Sequence, residues 1–290
     1  MRLALGTVQF GLDYGVSNTA GRCPPDEVAR ILGMARRRGI DLLDTAPAYG
    51  AAETTLGALA DDARPFRLVT KTTRPALGNV RAGMALSLQQ LGRSAVYGLL
   101  VHDADELLGP AGFEIEREMR ALRSEGRVSK IGVSVYTGSQ IDDVLSRFEP
   151  DLIQLPINVL DQRLVRGGQL KRLKDRGVEI HARSIFLQGL LLMQPEKLPA
   201  HLVGATSVLT RYRAAAQGAG LSPLAAALAF AHGIAEIDYV VAGVCSVAEF
   251  EEVAAAADAS RGAELPWSDF AVQEEALINP SLWPPKATAH

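Results

Sequence analysis

Short apolar runs recur along the chain, with amphipathic stretches between them. The runs are Leu3-Ala-Leu-Gly, Asp41-Leu-Leu-Asp, Arg67-Leu-Val-Thr, Tyr97-Gly-Leu-Leu-Val, Lys130-Ile-Gly-Val-Ser, Asp151-Leu-Ile-Gln-Leu, Val178-Glu-Ile-His and Tyr239-Val-Val-Ala. Most do not alternate strictly, which is how strands covered on both faces read, and such strands belong to parallel sheets. The stretches between them have helical spacing. Val28, Ile31, Leu32 and Ala35 fall on one face. Pro24-Pro25-Asp26-Glu27 precedes them, supplying the proline and acid that suit a first turn. Arg36-Arg37-Arg38 and then Gly39 close that helix. The pattern returns with Val80, Met84, Leu88 and Leu91 before Gly92; Ile115, Met119 and Leu122 before Gly126; and Leu170 and Leu173 before Gly177. Helix, glycine, buried strand is the rhythm of a βα repeat.

Eight such units predict an α/β protein, a single-domain (β/α)₈ TIM barrel over 1–290. An open doubly wound sheet should show G-x-G-x-x-G after its first strand. Here Gly6 and Gly11 are followed by Tyr14-Gly15 and a long loop instead. Three segments have no strand character: Gln9 to Arg22, Phe186 to about His201, and the tail 261–290. The first two follow strands 1 and 7, so a barrel places them at its catalytic mouth. The tail is expected to pack near that mouth, as a plug or as a pocket wall.

Composition narrows the class without changing the picture. The 290 residues are 48% hydrophobic and 22% charged, with net charge −3. These values suit a folded globular chain and give no bulk attraction to nucleic acid or anionic lipid. No leader or membrane span is expected: the stretch after Met1 is broken by Gly6, Gln9 and Asp13, and Leu221 to Ile234 is short and interrupted. Two cysteines, Cys23 and Cys245, fit a reducing cytoplasm rather than a disulfide framework. His201, His232 and His290 have no metal-ligand spacing, and His181 reads as a packed strand residue, so no metal is expected.

In a barrel, chemistry sits at the C-terminal strand ends. Strand 2 ends in Asp44, within Asp44-Thr-Ala-Pro-Ala-Tyr49-Gly50; strand 3 ends in Lys71; strand 4 ends in Val101-His102-Asp103. Three successive strands thus bring an acid, a lysine and a histidine to one rim, with Tyr49 just beyond. A phenol of pKa ~10 is a poor acid at neutral pH. An ammonium beside it favours phenolate and lowers that pKa, and a buried aspartate keeps the ammonium charged and aimed. A histidine can donate to a carbonyl oxygen. Together they form a proton donor facing a polarised carbonyl, as carbonyl reduction requires.

With these residues in place, the sequence resembles the aldo-keto reductase family over essentially its whole length. Leu5-Gly6-Thr7, the Asp44-to-Gly50 motif, Lys71 and His102 follow that family's order. Val133-Ser134, Gln154 with Asn158, Arg183-Ser184, Gln188-Gly189-Leu190, and Ala242 to Ser246 followed by Glu249 and Glu252 resemble its cofactor-contacting segments. The resemblance implies reduction of an aldehyde or ketone by a nicotinamide cofactor bound without a Rossmann fold. It makes Tyr49 the general acid, with Lys71 lowering its pKa, Asp44 holding Lys71 and His102 orienting the carbonyl. It assigns Ser134 and Gln154 to the carboxamide, and Arg183 to the face of the ring. Ser184, Leu187 and Gly189, with Phe186 beside them, go to the pyrophosphate; Gly243, Cys245 and Ser246, then Glu249 and Glu252, to the adenosine end. Gly6, Thr7 and Asp44 complete the cofactor set.

Two departures stand out. Val135 follows Ser134 where many members carry Asn. The stretch Val244 to Val253 has no basic residue where many carry one for a 2′-phosphate, leaving Arg211 or Arg213 to reach in. The family favours NADPH; the acidic stretch keeps NADH open. The expected partner is a small-molecule carbonyl substrate, with no nucleic acid or membrane partner, and oligomeric state is not legible. Phe10, Tyr14, Phe186 and Trp267 are candidate pocket walls. Two other readings stand beside reduction: a Schiff-base lyase or aldolase using Lys71 as nucleophile, and a non-catalytic cofactor-binding barrel.

Overall fold

A computed structural model describes residues 2–76, 78–260 and 262–284. Arg261 and residues 285–290 of the tail, with His290, lie outside the described residues. Eight strands form a closed, all-parallel barrel in sequence order. They are β1 (Arg2–Gly6), β2 (Leu42–Asp44), β3 (Arg67–Lys71), β4 (Val96–Val101), β5 (Val128–Ser134), β6 (Leu152–Pro156), β7 (Glu179–Arg183) and β8 (Tyr239–Gly243). The ring closes where Gly6 pairs with Gly243 on one side and Asp44 on the other. Strand β7 runs two residues past the apolar run that marks it, so His181 lies inside the strand and Arg183 ends it.

The outer helices follow the chemistry of their ends. Helix α1 (Pro25–Arg37) starts on proline with Asp26 and Glu27 in its first turn, ends on Arg36 and Arg37, and buries Val28, Ile31, Leu32 and Ala35. Burial of one large apolar side chain contributes roughly 1.5–3 kcal/mol, so such a face outweighs helix propensity. Helix α2 (Ala52–Ala58) follows β2, and α3 (Val80–Leu91) stops at left-handed Gly92. Helix α4 (Gly112–Ser124) precedes β5, and α5 (Gly138–Arg147) opens on a capping box between Thr137 and Gln140. Helices α6 (Gln169–Asp175), α7 (Thr206–Gly218), α8 (Pro223–His232) and α9 (Val247–Ala259) complete the ring. Among the described residues, no single helix is long and apolar enough to cross a membrane.

The barrel interior is layered. At the N-terminal strand ends, Glu179 accepts hydrogen bonds from Tyr97 (2.8 Å), Lys130 (2.7 Å) and His181 (2.7 Å). Burial alone would raise the Glu179 pKa, but these donors hold it at about 2. Beside them Arg67 contacts Asp41 and the Tyr239 hydroxyl. Above this ionic floor lies an apolar layer of Ala4, Leu42, Val69, Leu100 and Leu152 with the Tyr239 ring. The third layer, at the mouth, is polar.

The tail packs against α7, α8 and the chain after β6. Trp267 meets Phe230 of α8 edge-on at 5.4 Å, Phe270 meets Tyr212 of α7 at 5.7 Å, and the Val272 amide donates to the Leu160 carbonyl at 2.9 Å. Trp267 is therefore not a wall of the central cavity: the ring is already engaged by Phe230. Phe10 is not one either, being fully buried in the outer core.

Candidate active site and cofactor cleft

Asp44, Lys71 and His102 line one cavity because each stands at or just past the C-terminal end of its strand, β2, β3 or β4, although the register staggers them by two residues from strand to strand. The cavity is about 480 Å³. At its base the Lys71 ammonium donates to Asp44 Oδ1 at 2.8 Å, Asp44 Oδ2 at 3.0 Å and the Thr45 carbonyl at 3.0 Å. Both side chains are almost wholly buried, at 1% and 4% exposure. Such a pair survives desolvation only when its remaining lone pairs are also met. Gln154 meets one, donating from Nε2 to Asp44 Oδ2 at 2.6 Å.

Tyr49 lies on the loop after β2, half-buried, with the Lys71 Nζ 4.9 Å from its ring centroid. Here the structure corrects a sequence expectation. Lys71 does pull the Tyr49 pKa down, but burial outweighs it and Asp44 adds to the burial effect, so the phenol titrates above its ordinary value. Lys71 is raised too: burial opposes its charge, but Asp44 and Tyr49 together outweigh that. His102, edge-on to Tyr49 at 6.2 Å, is pushed down to about 3 by burial and then by the nearby Lys71, Arg74 and Arg183. It is a neutral imidazole at physiological pH.

The rest of the cleft extends from this base toward β8. Gly6, Thr7, Ser134, Gln154, Arg183, Ser184, Phe186, Gly189, Gly243, Cys245, Glu249 and Glu252 all line it. Leu187 and Ser246 do not. The Leu187 side chain turns into the core because its backbone is left-handed, with φ 48°. The Ser246 hydroxyl is taken up as the N-cap of α9, accepting from the Glu249 amide. Val135, which follows Ser134, gives its carbonyl to Arg183 at 3.3 Å. Asn158 builds a turn by accepting from the Leu160 and Asp161 amides.

The residues present fit a nicotinamide dinucleotide. Gln154 Oε1 is buried and has no hydrogen-bond partner, although its amide nitrogen is satisfied. Beside Ser134, in register on β5, it is an acceptor awaiting an N–H, as a carboxamide offers. After β7, the non-glycine residues Ser184, Leu187 and Gln188 have positive φ, and Gly189 follows at φ 92°. Left-handed residues cost on the order of 1–3 kcal/mol each when not glycine. Alternating backbone of this kind turns amides into a concavity that suits phosphate. Two loops meet here, since the Val16 amide donates to the Gln188 carbonyl at 3.0 Å. A Cβ at Gly189 would lie 1.8 Å from Ser17 Oγ, so no side chain is tolerated there.

Sequence reading missed several cleft residues. Tyr136 lines the cavity and carries the Arg183 guanidinium over its ring at 4.2 Å. Two positions beyond Ser134, it continues the alternation that faces Ser134 inward, which was the available signal. Gln9 and Arg74 also line the cavity, and Asn18 knits the first loop by binding the Gly21 carbonyl and amide. Outside the barrel wall, Glu53 of α2 is buried and accepts from the Thr70 hydroxyl at 2.6 Å. Among the described residues, no group of three or more His, Cys, Asp or Glu is placed to hold a metal.

Comparison with known proteins agrees with this geometry. Residues 2–264 match the aldo/keto reductase family, and the chain belongs to it. A segment of 183 residues is 27% identical to the NADH-specific methylglyoxal reductase of Escherichia coli (strain K12), covering 54% of this chain and 56% of that protein, so the chain spans about half the length of that curated relative. The fold is similar to that of a holo-form aldo-keto reductase from Bacillus halodurans, with TM-score 0.72 at 20% identity, covering 93% of this chain and 89% of that one. It is also similar to the glycerol dehydrogenase of Gluconobacter oxydans, with TM-score 0.69 at 20% identity, covering 99% and 95%.

Proposed function

We propose that the protein reduces an aldehyde or ketone to an alcohol with a nicotinamide dinucleotide. The observation that carries this reading is the buried Asp44–Lys71 pair set against the Tyr49 ring in the cavity that His102 also lines. When bound, the cofactor supplies the hydride. His102, neutral, donates to the carbonyl oxygen and orients it. Tyr49 gives its proton to that oxygen as negative charge develops there, and Lys71 stabilises the phenolate left behind. Asp44 keeps Lys71 charged through the cycle. A lyase using Lys71 as nucleophile is disfavoured, because Asp44 and Tyr49 raise the lysine pKa when a free amine is wanted.

The β8 end of the cleft favours the cofactor without a 2′-phosphate. Glu249 and Glu252 line it, and the Glu249 carboxylate accepts from the Cys245 amide at 2.6 Å. Arg211 is engaged with Ser207 and Arg213 with the Leu192 and Met193 carbonyls. Carboxylates repel a phosphate and accept from a ribose hydroxyl. The E. coli relative's NADH specificity is in line with this. Titration by fluorescence quenching should give NADH a Kd at least tenfold below that of NADPH. Carbonyl-dependent oxidation of the reduced cofactor should accompany it. Absence of quenching by both cofactors, or a borohydride-trapped adduct on Lys71, overturns the reductase reading.

The pH dependence follows from the directions above. Reduction needs Tyr49 protonated and His102 neutral. Tyr49 is raised, so its proton is lost only as pH climbs past the ordinary phenol range, and His102 at about 3 stays neutral at every pH above that. The kcat/KM for reduction should be level from about pH 5 to about pH 10 and fall only above it. A fall centred near pH 6.5 would make a histidine the acid instead.

A further inference from the structure

The carbonyl end of the cleft carries more positive charge than the reaction uses. Lys71 is matched by Asp44. Arg74, on the loop after β3, donates from Nη2 to the His102 carbonyl at 3.2 Å and lines the cavity with its side chain exposed. Arg183 lies across the cavity, flat on Tyr136 and donating to the Ser184 hydroxyl and the Val135 carbonyl at 3.3 Å each. Neither guanidinium is paired with a carboxylate among the described residues. The other acids lining the cavity, Glu249 and Glu252, belong to the β8 end.

We infer that Arg74 and Arg183 bind an anionic group of the substrate, a carboxylate or a phosphate, held beside the carbonyl that is reduced. This rests on the reductase reading and adds the substrate class to it. A guanidinium carries five N–H donors in a fixed fork that matches carboxylate and phosphate. The hydrogen bonds described occupy one donor of Arg74 and two of Arg183, leaving the others for a ligand. Stacking on Tyr136 and the two weak bonds hold Arg183 in place before any ligand arrives, which reduces the ordering cost of binding. His102 lies within the same positive field. Being neutral, it can approach a carbonyl between two cations without adding a third charge.

The test compares carbonyls matched except for charge: succinic semialdehyde against butanal, and glyceraldehyde 3-phosphate against glyceraldehyde. The wild-type enzyme should prefer at least one anionic member by tenfold or more in kcat/KM, mostly through KM, and the pair that shows it identifies carboxylate or phosphate. In Arg74→Gln that ratio should fall at least tenfold, with partial rescue by Arg74→Lys; both changes are at an exposed position. Reduction of the neutral members with no anionic preference overturns this inference and leaves the reductase reading standing. If no carbonyl is turned over, the reductase reading fails, and calorimetry decides the charge question alone. There, 4-hydroxybutanoate should bind wild type at least tenfold more tightly than R74Q, and equal binding overturns the inference.

Discussion

Tyr49→Phe should lower kcat by about 10² to 10⁴ while leaving the cofactor Kd within about threefold. The change removes one hydroxyl, the one proposed to protonate the carbonyl oxygen. At 1.36 kcal/mol for each tenfold, the expected loss of transition-state stabilisation is roughly 3–5 kcal/mol. The fold should tolerate it. Lys71 keeps both Asp44 oxygens and the Thr45 carbonyl, and the ring keeps its packing. Single-turnover rates with NADH and fluorescence quenching on the same sample separate the two effects. Full activity in Y49F would remove the phenol from the mechanism.

Lys71→Met should be the most destabilising change at the mouth. Lys71 and Asp44 are both nearly inaccessible, and removing the cation leaves a buried carboxylate with only Gln154 to meet it. Breaking such a pair from one side costs about 3–5 kcal/mol, because the remaining charge keeps its desolvation penalty. Asp44→Asn in the K71M background removes that charge, so the double variant should be more stable than K71M alone. Denaturant unfolding of the two variants gives the sign of the coupling. A double variant less stable than K71M would mean that Asp44 holds the loop after β2 through contacts other than charge. K71M should also lose most of its activity, since the Tyr49 phenolate then lacks its counter-ion.

The barrel was legible because its strands are covered on both faces and its helices are not. Leu42-Leu43 or Val240-Val241 admits no solvent side, whereas Val28, Ile31 and Leu32 mark one face only. Asp44, Lys71 and His102 were legible from rank alone, as the first titratable residues after buried runs. The loop after β7 was not. Ser184, Leu187 and Gln188 adopt a backbone that their side chains do not favour. No residue type announces it, so the inward turn of Leu187 had no signal. Ser246 reads equally as a cofactor contact or as a helix cap, and only the Glu249 amide at 3.1 Å chooses between them. The sign of the Tyr49 shift was also out of reach, because it depends on how deeply the hydroxyl is buried, which spacing does not encode.

The apolar layer of Ala4, Leu42, Val69, Leu100 and Leu152 separates the Glu179 group from the Lys71–Asp44 pair inside the same cylinder. Protons travel along chains of hydrogen-bonding groups, and the one that enters this belt breaks off at His181, whose Nε2 meets Glu179 and whose Nδ1 has no partner among the described residues. In the proposed reaction the proton leaves with the alcohol, so Tyr49 takes a new one from water at the mouth, directly or by way of Lys71. The opening that admits the substrate is thus also the route by which the acid is renewed.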